Sequence, residues 1–139
     1  MIILDTNVVS ALMRRVAEGV VVKWFDSQPA DTLWLTALTI LEIEMGLNLM
    51  ASGKKRRQLS EAFAQIHRED LKGRILSFDE PAALCAAKFA SLRRSAGRPV
   101  GLADVQIAGI TGARSATLAT RNVKDFEGLS IDIVNPWAP

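Results

Sequence analysis

Apolar residues along this chain follow two alternating patterns, which predict two kinds of element. Short continuous apolar runs are typical of strands buried on both faces of a sheet. They occur at Ile2–Leu4, Leu33–Leu35, Ile75–Leu76, Thr117–Ala119 and Ile131–Val134. Longer segments between them repeat apolar residues at helical spacing, at Val16–Ser27, Ala37–Met50, Lys54–Asp70, Glu80–Ala96 and Leu102–Gly112. This alternation predicts a three-layer α/β fold, in which a central parallel sheet of about five strands carries helices on both faces.

Turn residues stand where these elements would end. Glycine favours the left-handed caps and turns that end helices and strands, and glycines occur at Gly53, Gly73, Gly97, Gly101, Gly112 and Gly128. The segment Asp79-Glu80-Pro81 combines a capping carboxylate with an early proline, as helix starts do. No internal repeat, low-complexity tract or long linker divides the sequence. We therefore expect a single domain over residues 1–139.

Composition excludes several classes of protein. Apolar residues make up 49% of the chain and charged residues 23%, as in ordinary globular proteins. The longest uncharged stretch, Thr32–Leu41, falls well short of the roughly 20 apolar residues that a membrane-spanning helix needs. The amino terminus has no basic region before its apolar run, so we expect no secretory signal and no membrane partner. The net charge of +2 weakly favours an anionic partner.

Cysteine and histidine are too scarce for several kinds of site. Cys85 and His67 are each the sole residue of their type. No internal disulfide can form, which favours a reducing compartment such as the cytoplasm. A zinc site built from Cys and His is not available within one chain, and a nucleophile–histidine pair would have to use His67. Acid–base or metal chemistry would therefore rely on the 15 Asp and Glu residues.

Acidic and amide residues follow two of the predicted strands. Asp5 ends the first apolar run, and Thr6 and Asn7 come next. Asn122 and Asp125 lie just after the fourth predicted strand. Because ligands bind beyond the carboxyl ends of strands in an open parallel sheet, these residues are positioned to hold a cation or a nucleophile. Capping of the helix or turn that follows each strand explains the same residue types.

Glu42 belongs to a helix with an apolar face. On a helical wheel of Ala37–Met50, Glu42 lies beside Leu38, Met45 and Leu49. We therefore expect Glu42 on an apolar, core-facing side of the helix, where a charge is costly unless it is paired or binds a cation. A glutamate at the edge of the apolar stripe, or an ion pair with an arginine, is the alternative.

Asp104 stands in the first turn of the predicted helix Leu102–Gly112. The positive end of a helix stabilises an anion there, which is a sufficient structural reason for the residue. On the wheel, however, Asp104 is flanked by Ile107, Ala108 and Thr111. These neighbours predict that Asp104 is packed rather than solvated. Asp104 would then serve at a site as well as at the helix end.

Carboxylates so far apart in sequence can meet only through the fold. Clustered like charges repel, so one of them would hold a proton unless a metal ion neutralises them. Oxygen ligands suit Mg²⁺, with Mn²⁺ as a possible substitute. Such an ion can bridge a phosphodiester oxygen and activate water. These residues therefore predict metal-assisted hydrolysis of a phosphate ester, without selecting the substrate.

Four short motifs occur in a fixed order along the chain. They are an apolar run ending in Asp-Thr-Asn, then Thr-x-x-Glu, Gly-x-x-Asp and Thr-Arg-Asn-x-x-Asp-Phe, within residues 2–10, 38–46, 101–108 and 118–126. Together with the ending Val134–Trp137, they resemble the PIN-domain ribonucleases, in particular the VapC and FitB-like toxins of bacterial type II toxin–antitoxin modules. The resemblance covers essentially the whole chain and implies one PIN domain. Each motif is weak alone, and their order makes the resemblance specific.

The resemblance implies an acidic metal site made of Asp5, Glu42 and Asp104. Asp5 and Asp104 would bind Mg²⁺ directly, and Glu42 would bind it directly or through water. Either Asn122 or Asp125 would fill a fourth position. An asparagine there adds no charge, so one metal ion is better supported than two.

The resemblance also implies a reaction and partners. The reaction is hydrolytic cleavage of single-stranded or loop RNA, such as tRNA or another structured RNA, by in-line attack of an activated water. Thr6, Asn7, Thr120 and Arg121 would support the ligands or contact phosphate. The partners would be a cognate antitoxin and a second copy of the chain, which together form a toxin–antitoxin hetero-oligomer.

Basic and aromatic side chains outside the motifs could contact RNA. Cations at the rim of an acidic cleft can hold flanking phosphates, although a solvated helix face is the alternative for each. The candidates are Arg14, Arg15, Lys54–Arg57, Arg93, Arg94, Arg98 and Arg121. Trp34 or Trp137 could stack on bases, with core packing or a dimer contact as the alternative.

Three other functions compete with the nuclease. A haloacid-dehalogenase-like phosphatase also begins with a strand ending in Asp, but it needs a second Asp two residues later, where this chain has Asn7. A receiver-type phosphoacceptor domain needs an acid pair and a late lysine that are not found. An inactive PIN-like binding module would not need to keep costly clustered carboxylates. Cation-dependent cleavage of a mixed RNA pool would separate these possibilities.

Overall fold

The computed structural model describes residues 1–16 and 18–139, in which strands and helices alternate. The strands are β1 (Ile2–Leu4), β2 (Leu33–Thr36), β3 (Ile75–Leu76), β4 (Thr117–Ala119) and β5 (Asp132–Val134). The α-helices are α1 (Thr6–Leu12), α2 (Gly19–Ser27), α3 (Ala37–Leu49), α4 (Lys54–Ala64), α5 (Glu80–Ser95) and α6 (Leu102–Ala113). A 3₁₀ turn, Val123–Phe126, connects β4 to β5. The predicted alternation is confirmed.

All five strands of the described chain form one parallel sheet, in the order β3-β2-β1-β4-β5. In the centre, Ile3 of β1 lies opposite Trp34 of β2 and Leu118 of β4. The chain leaves β1 toward β2 on one side and later returns to β4 on the other. Strand order therefore reverses at β1, which opens a crevice beyond the carboxyl ends of β1 and β4.

Side chains of the sheet alternate between two apolar cores. Leu4 and Ala119 point into one core with residues of α1, α2, α3 and α4, while Ile3 and Leu118 point into the other with residues of α5 and α6. Successive residues of a strand face opposite sides of a sheet, so the two cores lie on its two faces. The three-layer prediction is confirmed.

The helices α5 and α6 pack closely against each other. A Cβ atom at Gly112 of α6 would lie 2.6 Å from the Cys85 sulfur of α5, closer than real contacts allow. Cys85 is half-buried there and serves as a small packing residue, as its apolar neighbours in sequence suggest. The contact leaves no room for a side chain at Gly112.

Two helix boundaries differ from the expected ones by more than one residue. The helix expected from Val16 begins at Gly19, and Ala17 lies outside the described residues. The helix expected over Lys54–Asp70 changes after Ala64 into a wider π-helical turn, Gln65–Asp70. Periodicity over so short a segment does not distinguish the two geometries. Among the described residues, no helix combines the length and apolar character that crossing a membrane requires.

Candidate functional site

A cleft of about 270 Å³ opens beyond the carboxyl end of β1. Its walls come from the start of α1, the middle of α3, the first turns of α6 and the turn after β4. The lining residues are Asp5, Thr6, Asn7, Glu42, Ala103, Asp104, Ile107 and Asn122. Most of the predicted site residues, taken from four distant segments, therefore line one cleft. Ala103 and Ile107 were not predicted as lining residues, although their helix was.

Asp5 is held in place by three hydrogen bonds. Its side chain is buried, with 8% of the residue exposed. One carboxylate oxygen accepts from the backbone N–H of Thr6 at 2.8 Å. The other accepts from the Thr120 hydroxyl at 2.8 Å and from the Asn7 side-chain amide at 3.2 Å. Asp5 therefore caps α1 and also lines the cleft, so its role as a helix cap does not exclude a role at the site.

Asn7 and Thr120 join the end of β1 to the turn after β4. The Asn7 amide also donates to the Thr120 hydroxyl at 3.2 Å, and its carbonyl accepts from the Arg121 backbone N–H at 3.2 Å. The Thr120 hydroxyl accepts from the Asn122 backbone N–H at 3.1 Å. Thr120 is fully buried and lies behind Asp5 rather than in the cleft.

Glu42 does not lie on the buried face of its helix, so this prediction was wrong. The buried residues of α3 are Thr39, Ile43 and Leu47. Glu42 is exposed, and the stripe that the wheel assigned to the core leaves Met45 54% and Leu49 80% exposed. The helix is apolar on both sides, and the face with Glu42 remains uncovered by the described chain.

Thr6 links Glu42 to the start of α1. The Thr6 hydroxyl donates to Glu42 Oε1 at 3.2 Å and lies 3.2 Å from the hydroxyl of Thr39. Thr39 is buried and was not predicted as a site residue. Its signal was the Thr-x-x-Glu spacing, which places Thr39 and Glu42 on the same side of the helix.

The acidic residues lie within electrostatic reach of one another. Burial raises the pKa of Asp104, and the negative charges of Asp125, Asp5 and Glu42 raise it further. Burial also raises the pKa of Asp5, against the hydrogen bonds that it accepts, and the charge of Asp125 adds to the rise. This repulsion is the condition that a bound cation would relieve.

Asn122 and Asp125 differ in whether they line the acidic cleft. Asn122 lines the acidic cleft, and its side chain makes no capping hydrogen bond. Asp125 lines a neighbouring cleft of about 370 Å³, together with Arg121, Lys124 and Asn135. Of the two residues, Asn122 therefore lines the acidic cleft, while Asp125 acts on Asp5 and Asp104 through its charge.

The donor atoms fit a hydrated cation better than an enclosed one. Within the described residues, no three Asp, Glu, His or Cys side chains come close enough together to form a complete ligand set. Mg²⁺ commonly keeps several waters and takes only one or two protein carboxylates. Asp5, Glu42, Asp104 and Asn122 offer oxygen atoms around a space of about 270 Å³. This arrangement suits a hydrated Mg²⁺ or Mn²⁺.

Several of the candidate basic residues have protein partners, whereas Arg121 lines the cleft next to the acidic one. Three of them form surface ion pairs with acids, namely Arg14, Arg15 and Arg98. Arg93 is buried and donates to backbone carbonyls, so the prediction that it contacts phosphate was wrong. The Arg121 guanidinium lies 4.9 Å from the ring centre of Trp137. The Arg121 guanidinium lies over the face of the Trp137 ring in a cation–π contact, which holds the cation next to Asn122.

An apolar groove of about 380 Å³ adjoins the acidic cleft and shares Thr6 and Glu42 with it. Its remaining walls include apolar side chains of α1, α3 and α4, among them Met13, Ile43, Met45, Leu47, Met50 and Leu59. Leu41 next to it on α3 is 63% exposed. Apolar surface of this kind beside a polar cleft is typical of a protein-binding site.

The comparisons with known proteins place the chain in a family. The PIN domain model matches residues 2–130, and the chain belongs to the PIN domain family. Within it, the chain is 37% identical over 139 residues to VapC ribonuclease Y4jK of Sinorhizobium fredii, covering 100% of this chain and 99% of the relative. It is also 37% identical over 137 residues to toxin FitB of Neisseria gonorrhoeae, with 99% of each covered.

Solved structures agree with this assignment. The structure of FitAB bound to an IR36 DNA fragment matches with a TM-score of 0.90 and 37% identity, covering 100% of this chain and 97% of the other. The structure of FitAcB from Neisseria gonorrhoeae matches with a TM-score of 0.89, 37% identity and 99% coverage of both chains. The resemblance to VapC and FitB-like proteins predicted from the motifs is confirmed.

Proposed function

We propose that this protein is a metal-dependent endoribonuclease and the toxin of a bacterial type II toxin–antitoxin pair that acts in the cytoplasm. The observation that carries the proposal is the shared cleft, in which Asp5, Glu42, Asp104 and Asn122 meet from four distant segments. Relatives named VapC ribonuclease and toxin FitB, each 37% identical over nearly the whole chain, support RNA as the substrate and toxicity as the outcome.

The acidic side chains have distinct roles in this proposal. Asp5 and Asp104 face the cleft from α1 and α6 and would hold Mg²⁺, with Asn122 adding a neutral oxygen. When bound, Mg²⁺ would neutralise the phosphodiester and lower the pKa of the attacking water. Glu42 is exposed and uses Oε1 to accept from Thr6. This leaves Oε2 available to orient the water and take its proton.

The neighbouring cleft supplies the positive charge that an RNA strand needs. Asn122 lines both clefts, so a strand with its scissile phosphate beside Asp5 can continue past the 3₁₀ turn. Arg121 and Lys124 line the second cleft and would hold a flanking phosphate. Because Trp137 already holds the Arg121 guanidinium, little side-chain entropy is lost when phosphate binds.

The apolar groove beside Glu42 is the proposed site for a segment of the antitoxin. An apolar partner segment would cover Met45 and Leu41, which otherwise expose much of their surface to water. The structures of FitAB and FitAcB are complexes of relatives that are 37% identical. Because the groove shares Thr6 and Glu42 with the acidic cleft, a segment seated in it would also obstruct the substrate. We propose a homodimer as the assembly that binds the antitoxin.

The activity is tested with a mixed RNA pool and purified protein. We expect cleavage with Mg²⁺ or Mn²⁺, loss of cleavage with a chelator, and loss of cleavage in Asp5→Asn. The matched control is Asp26→Asn, which removes an exposed acid that pairs with Arg15 on the surface and should cleave normally. A wild-type protein that folds, binds Mn²⁺ and cuts no RNA would leave the inactive binding module as the better description.

A further inference from the structure

Arg93, in the last turn of α5, is buried although it carries a charge. Only 8% of the residue is exposed. Among the described residues, no carboxylate lies within ion-pair distance of its guanidinium. A buried cation is costly unless its donors are used. The partners of those donors therefore indicate what the residue does.

The guanidinium joins two separate segments through backbone carbonyls. Arg93 Nε donates to the carbonyl oxygen of Arg98 at 2.8 Å. Its Nη1 donates to the carbonyl oxygens of Asp125 at 3.1 Å and of Glu127 at 2.9 Å. The first carbonyl belongs to the loop between α5 and α6, and the other two belong to the 3₁₀ turn and the residue that follows it.

Both segments lead directly to walls of the acidic cleft. The loop ends at Gly101, and Asp104 follows in the first turn of α6. The turn carries Asn122 at its start and Asp125 within it. A second link joins the same segments on the surface, where the Arg98 guanidinium lies 3.4 Å from the Glu127 carboxylate.

We propose that Arg93 is a positioning residue of the nuclease site, whose planar fork keeps the approach to Asp104 and the turn with Asn122 at a fixed separation. The inference rests on the proposed nuclease function. A guanidinium donates in several fixed directions at once, whereas the lysine ammonium is a point charge on a flexible stem. The role therefore requires the shape of arginine and not only its charge.

The kinetic experiment compares Arg93→Lys and Arg93→Ala with the control Lys88→Ala, which removes an exposed cation from the same helix. The probe is a quenched fluorescent single-stranded RNA with one mapped cleavage site, at saturating Mg²⁺. We expect kcat of Arg93→Lys to fall by about 10- to 100-fold, the scale of a misplaced catalytic group, with KM nearly unchanged. Millimolar guanidinium should restore much of the activity of Arg93→Ala, and ammonium should not.

Several results would overturn the proposal. Normal kcat in Arg93→Lys would show that charge alone suffices, and a change confined to KM would assign Arg93 to RNA attraction. If guanidinium does not restore the activity lost in Arg93→Ala, Arg93 would only stabilise the fold. If Arg93→Ala does not fold, Arg93→Lys decides the question.

A measurement without turnover separates this proposal from the nuclease function. In the amide NMR spectrum of Arg93→Lys, we expect the signals of Asn122, Asp125 and Asp104 to shift, while those of α2 stay in place. The same signals in Lys88→Ala should match the wild type. Unshifted signals would overturn the positioning role. An inactive wild type with shifted variant signals would refute the nuclease and leave the structural link intact.

Discussion

Thr120→Val tests how the fold holds the ionised Asp5 carboxylate. The Thr120 hydroxyl is fully buried and donates to Asp5 Oδ2 at 2.8 Å. Valine keeps the volume and removes the hydroxyl. A hydrogen bond to a charged group is worth roughly 1.5–3 kcal/mol, against about 1 kcal/mol for a neutral one. We therefore expect Thr120→Val to lose roughly 1.5–3 kcal/mol of stability at neutral pH in metal-free buffer.

The pH dependence of the stability lost in Thr120→Val shows whether the hydroxyl binds an ionised Asp5 carboxylate. The Thr120 hydrogen bond lowers the pKa of Asp5, so it stabilises the fold while Asp5 is ionised. Its extra contribution is present above the folded-state pKa of Asp5 and is lost as the pH falls through it. Without the hydroxyl, the pKa of Asp5 rises further, and the acid limb of the cleavage profile moves to higher pH.

The assay is urea unfolding at neutral and acid pH, combined with RNA cleavage across pH. The matched control is Thr111→Val, because Thr111 is equally buried but its hydroxyl donates to the neutral backbone oxygen of Ile107 at 2.8 Å. Thr111→Val should cost less and show no such pH dependence. The reasoning fails if both variants lose equal stability, or if the loss in Thr120→Val is the same at both pH values.

Three further predictions concern the cleft and its apolar neighbour. Because burial raises the pKa of Asp5, its ionised form destabilises the metal-free fold, so the stability of wild type relative to Asp5→Asn in urea melts should increase as the pH falls from neutral toward the ordinary pKa of aspartate. Asp104→Ala should weaken Mg²⁺ binding in calorimetry, and unchanged affinity would remove Asp104 from the ligand set. Met45→Glu, which places a charge in the apolar groove, should weaken binding of the cognate antitoxin by about tenfold or more in a titration.

The fold could be predicted because the sheet is covered on both faces. Strands such as Ile2–Leu4 and Thr117–Ala119 are buried on both sides and therefore read as continuous apolar runs. Cap residues such as Asp79, which accepts from the Ala82 backbone N–H at 3.1 Å, marked where helices begin. These are local signals, which a single sequence contains in full.

The exposure of Glu42 could not be predicted, for a physical reason. Helix α3 is apolar on the side of Ile43, which packs in the core, and on the side of Met45, which is exposed. A helical wheel records hydrophobicity and cannot tell a core from a surface without a partner. The prediction took the exposed side of α3 for the core-facing one. Glu42 nevertheless lies at the site, because α3 packs against α1 and so brings Glu42 to Thr6.

Arg93 was missed for a different reason. Its partners are backbone carbonyls, which every residue possesses, and Asp125 and Glu127 lie far along the chain. No pattern of side chains in the sequence indicates such a contact, so the sequence suggested an exposed cation on a helix. Only the packing of α5 against the 3₁₀ turn reveals that the guanidinium is enclosed.

The central claim is that folding brings distant acids to one cation. A crystal of the wild-type protein grown with Mn²⁺ tests it most directly through the anomalous scattering of the metal. We expect one strong anomalous peak in the cleft, within reach of Asp5, Asp104 and Glu42 either directly or through ordered water. No peak there at saturating Mn²⁺, or a peak bound elsewhere on the surface, would contradict the account.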